Sequence, residues 1–275
     1  MNTVIGLRMN LWIKILISGL SLFSFHTKAC ELVNKNIISL SGPISTYLNE
    51  LGVIDQVQGI STYHPIKDFK NTRYPGGIYL STSTLKSFEN KVVFFDRSRE
   101  FRKVLNRFPK IKAIEIDSRR KTPQEVIELS RTQLADYLKG CDVQIKAIEE
   151  KVLNLEKFIK SNIKKIKQSV FFLGRIDKKY PETVMANDGF VYWLKKEKLI
   201  ESYPSELEYL NWSMKLLSPL REKYYFFGLQ DSFNDGEKKI EKISATTYNV
   251  KYPGALTPGY TQLEFVKYLI DYFLE

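Results

Sequence analysis

Of the two histidines in the chain, His26 lies in an apolar N-terminal stretch and His64 lies in the body. One imidazole cannot close a site for bare Zn²⁺ or Mn²⁺, which needs several His, Cys or carboxylate ligands, so no resident metal is expected. His64 could serve as an axial ligand to a porphyrin iron or hydrogen-bond a molecule held in a cleft. The competing reading is a loop histidine without a task. A hydrolytic triad with Asp68 or Asp96 is a third reading, but no Gly-x-Ser-x-Gly elbow accompanies it. Phosphate-cradling Gly-x-x-x-x-Gly-Lys-Ser/Thr loops are also absent.

What remains is aromatic. Tyr63, Tyr74, Tyr79, Trp193, Tyr248 and Tyr252 fall in or beside expected loops and helix faces. Corrins, porphyrins and catechol chelates are held by such rings together with a few donors. Ordinary packing competes with that role at Tyr74, Tyr79 and Tyr252, and Trp193 reads as core. Arg97, after an apolar run, is a candidate partner for a carboxylate on a ligand, with a solvated arginine as the alternative.

The element that must position these residues is a helix expected over 142–167. Ile145, Ile148, Val152, Leu155, Ile159, Ile163 and Ile166 step by three or four and form one apolar stripe. Lys146, Glu149, Glu150, Lys157, Lys160 and Lys164 occupy the other side. The segments on either side alternate strand and helix. The expected fold class is therefore α/β, with two α/β lobes bridged by one long backbone helix. The divisions are a leader at 1–29, an N-terminal lobe at 30–139, the linking helix at 140–167 and a C-terminal lobe at 168–275.

In the first lobe, the β-prone Asn36–Leu40 meets Ser41-Gly42-Pro43, and Pro43 suits a first helical turn. Ile44, Tyr47, Leu48 and Leu51 then recur at helical spacing up to Gly52. A second strand, Gln56–Ile60, delivers Ser61-Thr-Tyr-His-Pro65 at its C-terminal end, the edge where parallel sheets bind ligands. Tyr74-Pro-Gly-Gly77 reads as a turn. Further elements are expected as helices at 82–88, 99–107 and 122–138 and strands at 91–95 and 112–116. Thr122-Pro-Gln-Glu125 has capping-box chemistry. The second lobe should contain strands at 169–173, 223–227 and 246–250, helices at 190–199 and 212–217, and a closing helix at 261–273.

The stretch from Ile37 to Pro65, IISLSGPISTYLNELGVIDQVQGISTYHP, resembles the opening of the cobalamin, ferric-siderophore and haem receptors of bacterial import systems. Those receptors begin with a strand, a Ser-Pro-type turn, a helix ending Leu-Gly, a second strand and a Ser/Thr-Tyr loop facing the ligand. The likeness extends over about 36–272 and is most specific over 36–65. It implies two lobes on one helix and a large organic or metal-chelate ligand in the cleft: cobalamin, ferric siderophore or haem. It also implies delivery to an ABC permease in the inner membrane and no catalysis. Tyr63 matches the family's loop tyrosine, and His64, Tyr74, Tyr79, Arg97 and Tyr252 join it as ligand-binding candidates. Each lobe of such receptors presents a glutamate to the permease. Here the aligned residues are Ser83 and Lys215, and neither is acidic. Glu89 and Glu222 stand nearby as substitutes. The same fold serving as a periplasmic interaction module without transport is the alternative function.

The first 29 residues have the make-up of an export signal, with Arg8 and Lys14 ahead of the apolar Ile15–Phe25 and small residues around Ala29. Met9 offers a second start. Cleavage after Ala29 would leave Cys30 first, and the periplasm follows as the location. Cys30 then either carries a lipid or pairs with Cys141, the other cysteine. The formal charge of +11 is spread along the chain without a long basic run. It reads as a lysine-coated surface with no nucleic-acid module, on a protein expected to be monomeric.

Overall fold

The computed structural model describes residues 29–75, 79–165, 169–173, 176, 182–186, 190–198, 209–213, 225–231, 236–255 and 257–275. The first lobe is built on a parallel sheet of β2 (Ile37–Leu40), β3 (Gly59–Ser61), β4 (Thr72–Tyr74), β5 (Val92–Asp96) and β6 (Lys112–Ile116), in the order β4-β3-β2-β5-β6. Side chains alternate between its two faces with period two. Ile37, Val92 and Phe94 join the main core, whereas Ile38, Leu40, Val93 and Phe95 form a second cluster. That second cluster packs on Leu85 of α2 (Thr82–Lys86) and on Phe101 and Leu105 of α3 (Arg99–Leu105). The main core lies under α1 (Gly42–Glu50) and α4 (Pro123–Leu134). Thr122 and Glu125 form the expected capping box at the start of α4.

The long helix is α5, Asp142–Asn162, and it ends in a 3₁₀ turn at Ile163–Lys165. Its 21 residues span about 32 Å. Ile148, Val152, Ile159 and Ile163 are buried, as the stripe requires. The second lobe has a mixed sheet of β8 (Ser169–Leu173), β9 (Glu182–Ala186), β10 (Tyr209–Ser213), β11 (Tyr225–Asp231), β12 (Lys239–Lys242) and β13 (Thr247–Tyr252), in the order β10-β9-β8-β11-β13-β12. Strands β8, β11 and β13 run parallel, and antiparallel partners flank them. Helix α6 (Phe190–Lys196) carries the buried Trp193 and Leu194.

The closing helix, α7 (Tyr260–Leu274), follows the second sheet in the chain but packs against α1, α4 and α5. One apolar cluster therefore runs from Ile44 and Leu48 through Val152 and Ile159 to Leu263, Val266 and the second-sheet residues Phe227 and Val250. Lys151 adds a polar tie across the same junction. Its Nζ lies 3.2 Å from Glu50 of α1, 3.7 Å from Glu264 of α7 and 4.3 Å from the Tyr260 ring centroid.

Three local expectations are corrected. Residues 209–213 form β10, so no helix begins at Trp212, because an antiparallel ladder with β9 outweighs the weak helical spacing. No strand is expected from sequence ahead of the Tyr74–Gly77 turn, yet Thr72–Tyr74 enters the first sheet as β4, because β3 offers it a parallel partner; Gly76 and Gly77 lie outside the described residues. Helix α4 stops at Leu134, and Leu138–Lys139 becomes β7, which pairs with β1 (Glu31–Leu32). Beside that small ladder, Cys30 and Cys141 form a disulfide. Gly140 provides the left-handed residue between ladder and bond, with φ 68°. The disulfide resolves the alternatives at Cys30, because a sulfur bound to Cys141 cannot also hold a lipid thioether.

Candidate ligand cleft

In the first sheet the chain leaves β2 towards β3 and β4, then returns to the other side of β2 for β5 and β6. The switch in direction lies between β2 and β5, and ligands bind open α/β sheets at the carboxyl ends of such strands. Ser41 and Gly42 follow β2, and Asp96 ends β5. Ser41 Oγ donates to Asp96 Oδ1 at 2.6 Å, and the Gly42 N–H donates to Oδ2 at 3.2 Å. Asp96 thus caps α1 from a neighbouring strand, where a carboxylate suits the helix dipole. Enclosure by protein pushes this carboxyl up to about 6, against the opposing effect of both hydrogen bonds. The residue is nevertheless exposed, so solvent moderates the shift.

The second lobe meets this corner directly. Any side chain at Gly42 would bring its Cβ within 2.9 Å of Thr257 Cγ2. At Gly254, with φ 74°, a Cβ would lie 2.9 Å from Pro65 Cγ. The loop after β3 therefore sits against the segment after β13.

That loop is held by its own backbone. The Thr62 N–H donates to Tyr74 O (2.7 Å), His64 N–H to Ser61 O (3.2 Å) and Ile66 N–H to His64 O (2.8 Å). The Arg73 guanidinium donates to the carbonyls of His64 and Ile66. The turn faces Tyr63 outward at 50% exposure and His64 inward at 4%. Nδ1 of His64 has no hydrogen-bond partner in the structure. Burial, followed by the nearby Arg73 charge, pushes the imidazole down to about 3, so it is neutral at pH 7. No hydrogen bond joins it to Asp68 or Asp96 among the described residues.

A pH experiment follows. An unfolded histidine binds its proton near pH 6.5, but folded His64 does so only near about 3. Between those values the unfolded chain holds the extra proton, so acidification from 6.5 weakens the fold by up to about 1.4 kcal/mol per pH unit. Asp96 acts in the opposite sense between 3.8 and about 6, because its folded form keeps the proton longer. It is common to wild type and His64→Gln, so their difference isolates the histidine. Urea midpoints at pH 7.0, 5.5 and 4.5 should fall more steeply for wild type. Parallel slopes would exclude a buried neutral imidazole.

The other candidates are dispersed. Tyr79 is 69% exposed. Tyr74 lies edge-on to Phe88, with centroids 4.9 Å apart. Arg97 is engaged with Asp117 and stands 3.8 Å from Glu115. Partial burial works to raise the Asp117 carboxyl, but hydrogen bonds from Arg119 and Arg97 hold it at about 2. Tyr252 is 3% exposed, packed against Phe265 and Tyr268 with centroids 5.4 and 5.3 Å away. Core packing accounts for that burial, as it does for Trp193. Ser83 is exposed on α2, its hydroxyl 2.8 Å from that of Ser81, and Glu89 pairs with Lys110 at 3.4 Å. Lys215 and Glu222 lie outside the described residues. Sequence reasoning missed the Ser41–Asp96–Thr257 corner. Its one legible signal was an aspartate ending the apolar Val92–Phe95 run.

No family model matches the chain, and no curated protein matches it by sequence. Solved structures do. The periplasmic haem-binding protein HutB of Vibrio cholerae superposes with a TM-score of 0.61 at 14% identity, covering 87% of this chain and 98% of that one. The periplasmic haem-binding protein RhuT from Roseiflexus sp. RS-1, in apo form, gives 0.60 at 14%, covering 86% and 97%. The siderophore-binding protein FhuD from Vibrio cholerae, solved with Fe³⁺-Desferal, gives 0.58 at 11%, with the same coverage as RhuT. The chain has the fold of these periplasmic binding proteins. In this chain the Ser41–Asp96 corner approaches Thr257 at Gly42, and the loop that carries Tyr63 approaches Gly254 at Pro65.

Proposed function

We propose that the chain is an exported, periplasmic substrate-binding protein. It takes a large chelate such as haem, a ferric siderophore or cobalamin between its lobes and presents it to an inner-membrane ABC permease without catalysing a reaction. The observation that carries this reading is the shared two-lobe fold on a single long helix, with an exposed tyrosine, Tyr63, on the loop after β3 at the lobe junction. A continuous helix and a shared core resist wide hinge opening, which suits a preformed cleft for a rigid flat ligand. Tyr63 would stack on or ligate the chelate.

The test is titration of the protein spanning residues 30–275 with haem, cobalamin and ferric desferrioxamine, followed by absorbance and thermal shift. Ligand at a hundred times its Kd should add about 2.7 kcal/mol of stability. Tyr63→Ala should weaken binding of the responding ligand at least tenfold. No shift with any of the three would reject the receptor reading.

Ser83, a neutral residue on the exposed face of α2, favours a second reading as a periplasmic interaction module. Capture of an ABC permease by the loaded protein would dispose of that alternative.

A further inference from the structure

At the opposite edge of the first sheet, where its strands begin, a recess of about 590 Å³ opens. Lys35, Lys70 and Lys91 line it, close ahead of β2, β4 and β5, and no acidic residue does. Lys110, Lys139 and Lys151 elsewhere on the surface each face a carboxylate. The three lysines of the recess have no ion-pair partner among the described residues.

The wall between these lysines is fixed by hydrogen bonds. Asn71 Nδ2 donates to the carbonyls of Asp55 (3.0 Å) and Val57 (2.7 Å), and Gln58 Nε2 donates to Asn36 Oδ1 (2.9 Å). Tyr74 closes one side, and its ring lies across strand β3 because residue 59 is glycine. A Cβ there would come within 2.3 Å of Tyr74 Cε2 and 2.9 Å of Thr72 O. The recess is therefore a shaped, polar surface with three uncompensated positive charges on a rigid frame.

Like charges gathered in one concavity raise the local potential and concentrate anions there. Ammonium groups bind oxyanions as point charges, without the planar two-point match that an arginine gives a carboxylate. Three of them around one volume suit a tetrahedral oxyanion with several charges. We propose that this recess binds a small multiply charged phosphate compound, an oligophosphate or phosphate ester, at a site separate from the cleft between the lobes. This inference does not depend on the identity of the cleft ligand.

Calorimetric titration with pyrophosphate at 50 mM salt tests it. Wild type should show one saturable site that weakens steeply at 200 mM salt. Lys35→Ala/Lys70→Ala/Lys91→Ala should lose at least tenfold in affinity. A control, Lys146→Ala/Lys157→Ala/Lys164→Ala, removes the same charge from the solvent side of α5 and the 3₁₀ turn that ends it and should stay within twofold of wild type. Pelleting with phosphatidylglycerol vesicles separates the phosphate sources. Vesicle binding lost only in the recess variant, with little pyrophosphate binding, would assign the site to a lipid headgroup. Equal weakening in both triple variants, or no binding of either probe, would overturn the proposal.

Discussion

Replacing Cys30 and Cys141 together by alanine is expected to lower the free energy of unfolding by about 2–5 kcal/mol. The bond joins residues 111 apart, so it removes a large loop's worth of freedom from the unfolded chain. It also anchors the β1–β7 ladder, which has only two residue pairs and little strength of its own. The melting temperature should drop by on the order of 10 °C in a domain of this size. Chemical denaturation of oxidised wild type, reduced wild type and the double variant provides the check, and the last two should nearly coincide. A midpoint shift equivalent to less than about 1 kcal/mol would mean that the α5 start is held by packing alone.

Phe227→Ala should be at least as damaging, at about 3–5 kcal/mol. Phe227 is fully buried in β11 and stacks between Phe171 of β8 and Tyr248 of β13, with centroids 5.3 and 5.6 Å away. Phe273 of α7 meets it edge-on at 5.9 Å. The ring therefore joins three parallel strands to the helix that also packs on the first lobe. Truncation leaves a cavity that stiff strands cannot close, whereas Phe227→Leu should recover much of the loss. A double-mutant cycle with Phe273→Ala should give a coupling above about 0.5 kcal/mol if sheet and helix depend on this contact. Additive effects would show that α7 is held to the second lobe by its other residues.

The legible parts of this chain are those governed by near neighbours. The α5 stripe, the βαβ opening and the Thr122 capping box each follow from a spacing of a few residues, and all three stand in the structure. Strands β4 and β10 are not legible as strands because each becomes one only when a partner lies beside it. Tyr63 and Tyr252 are equally aromatic and both adjoin a Pro-containing turn, yet one is half exposed and the other buried. Nothing local separates them. The difference is what lands opposite, which for Tyr252 is the α7 face bearing Phe265 and Tyr268.

The sequence by itself determined the α/β class, the rigid central helix and the tyrosine–histidine loop after the second core strand, because helical and strand periods are written residue by residue. Only the tertiary structure decided that Cys30 bonds to Cys141, that Asp96 caps α1 from another strand, and that α7 crosses back to give both lobes one core. Each of these joins residues far apart in the chain. Their free energy depends on closing a long loop and excluding water from both sides at once, which no local pattern records.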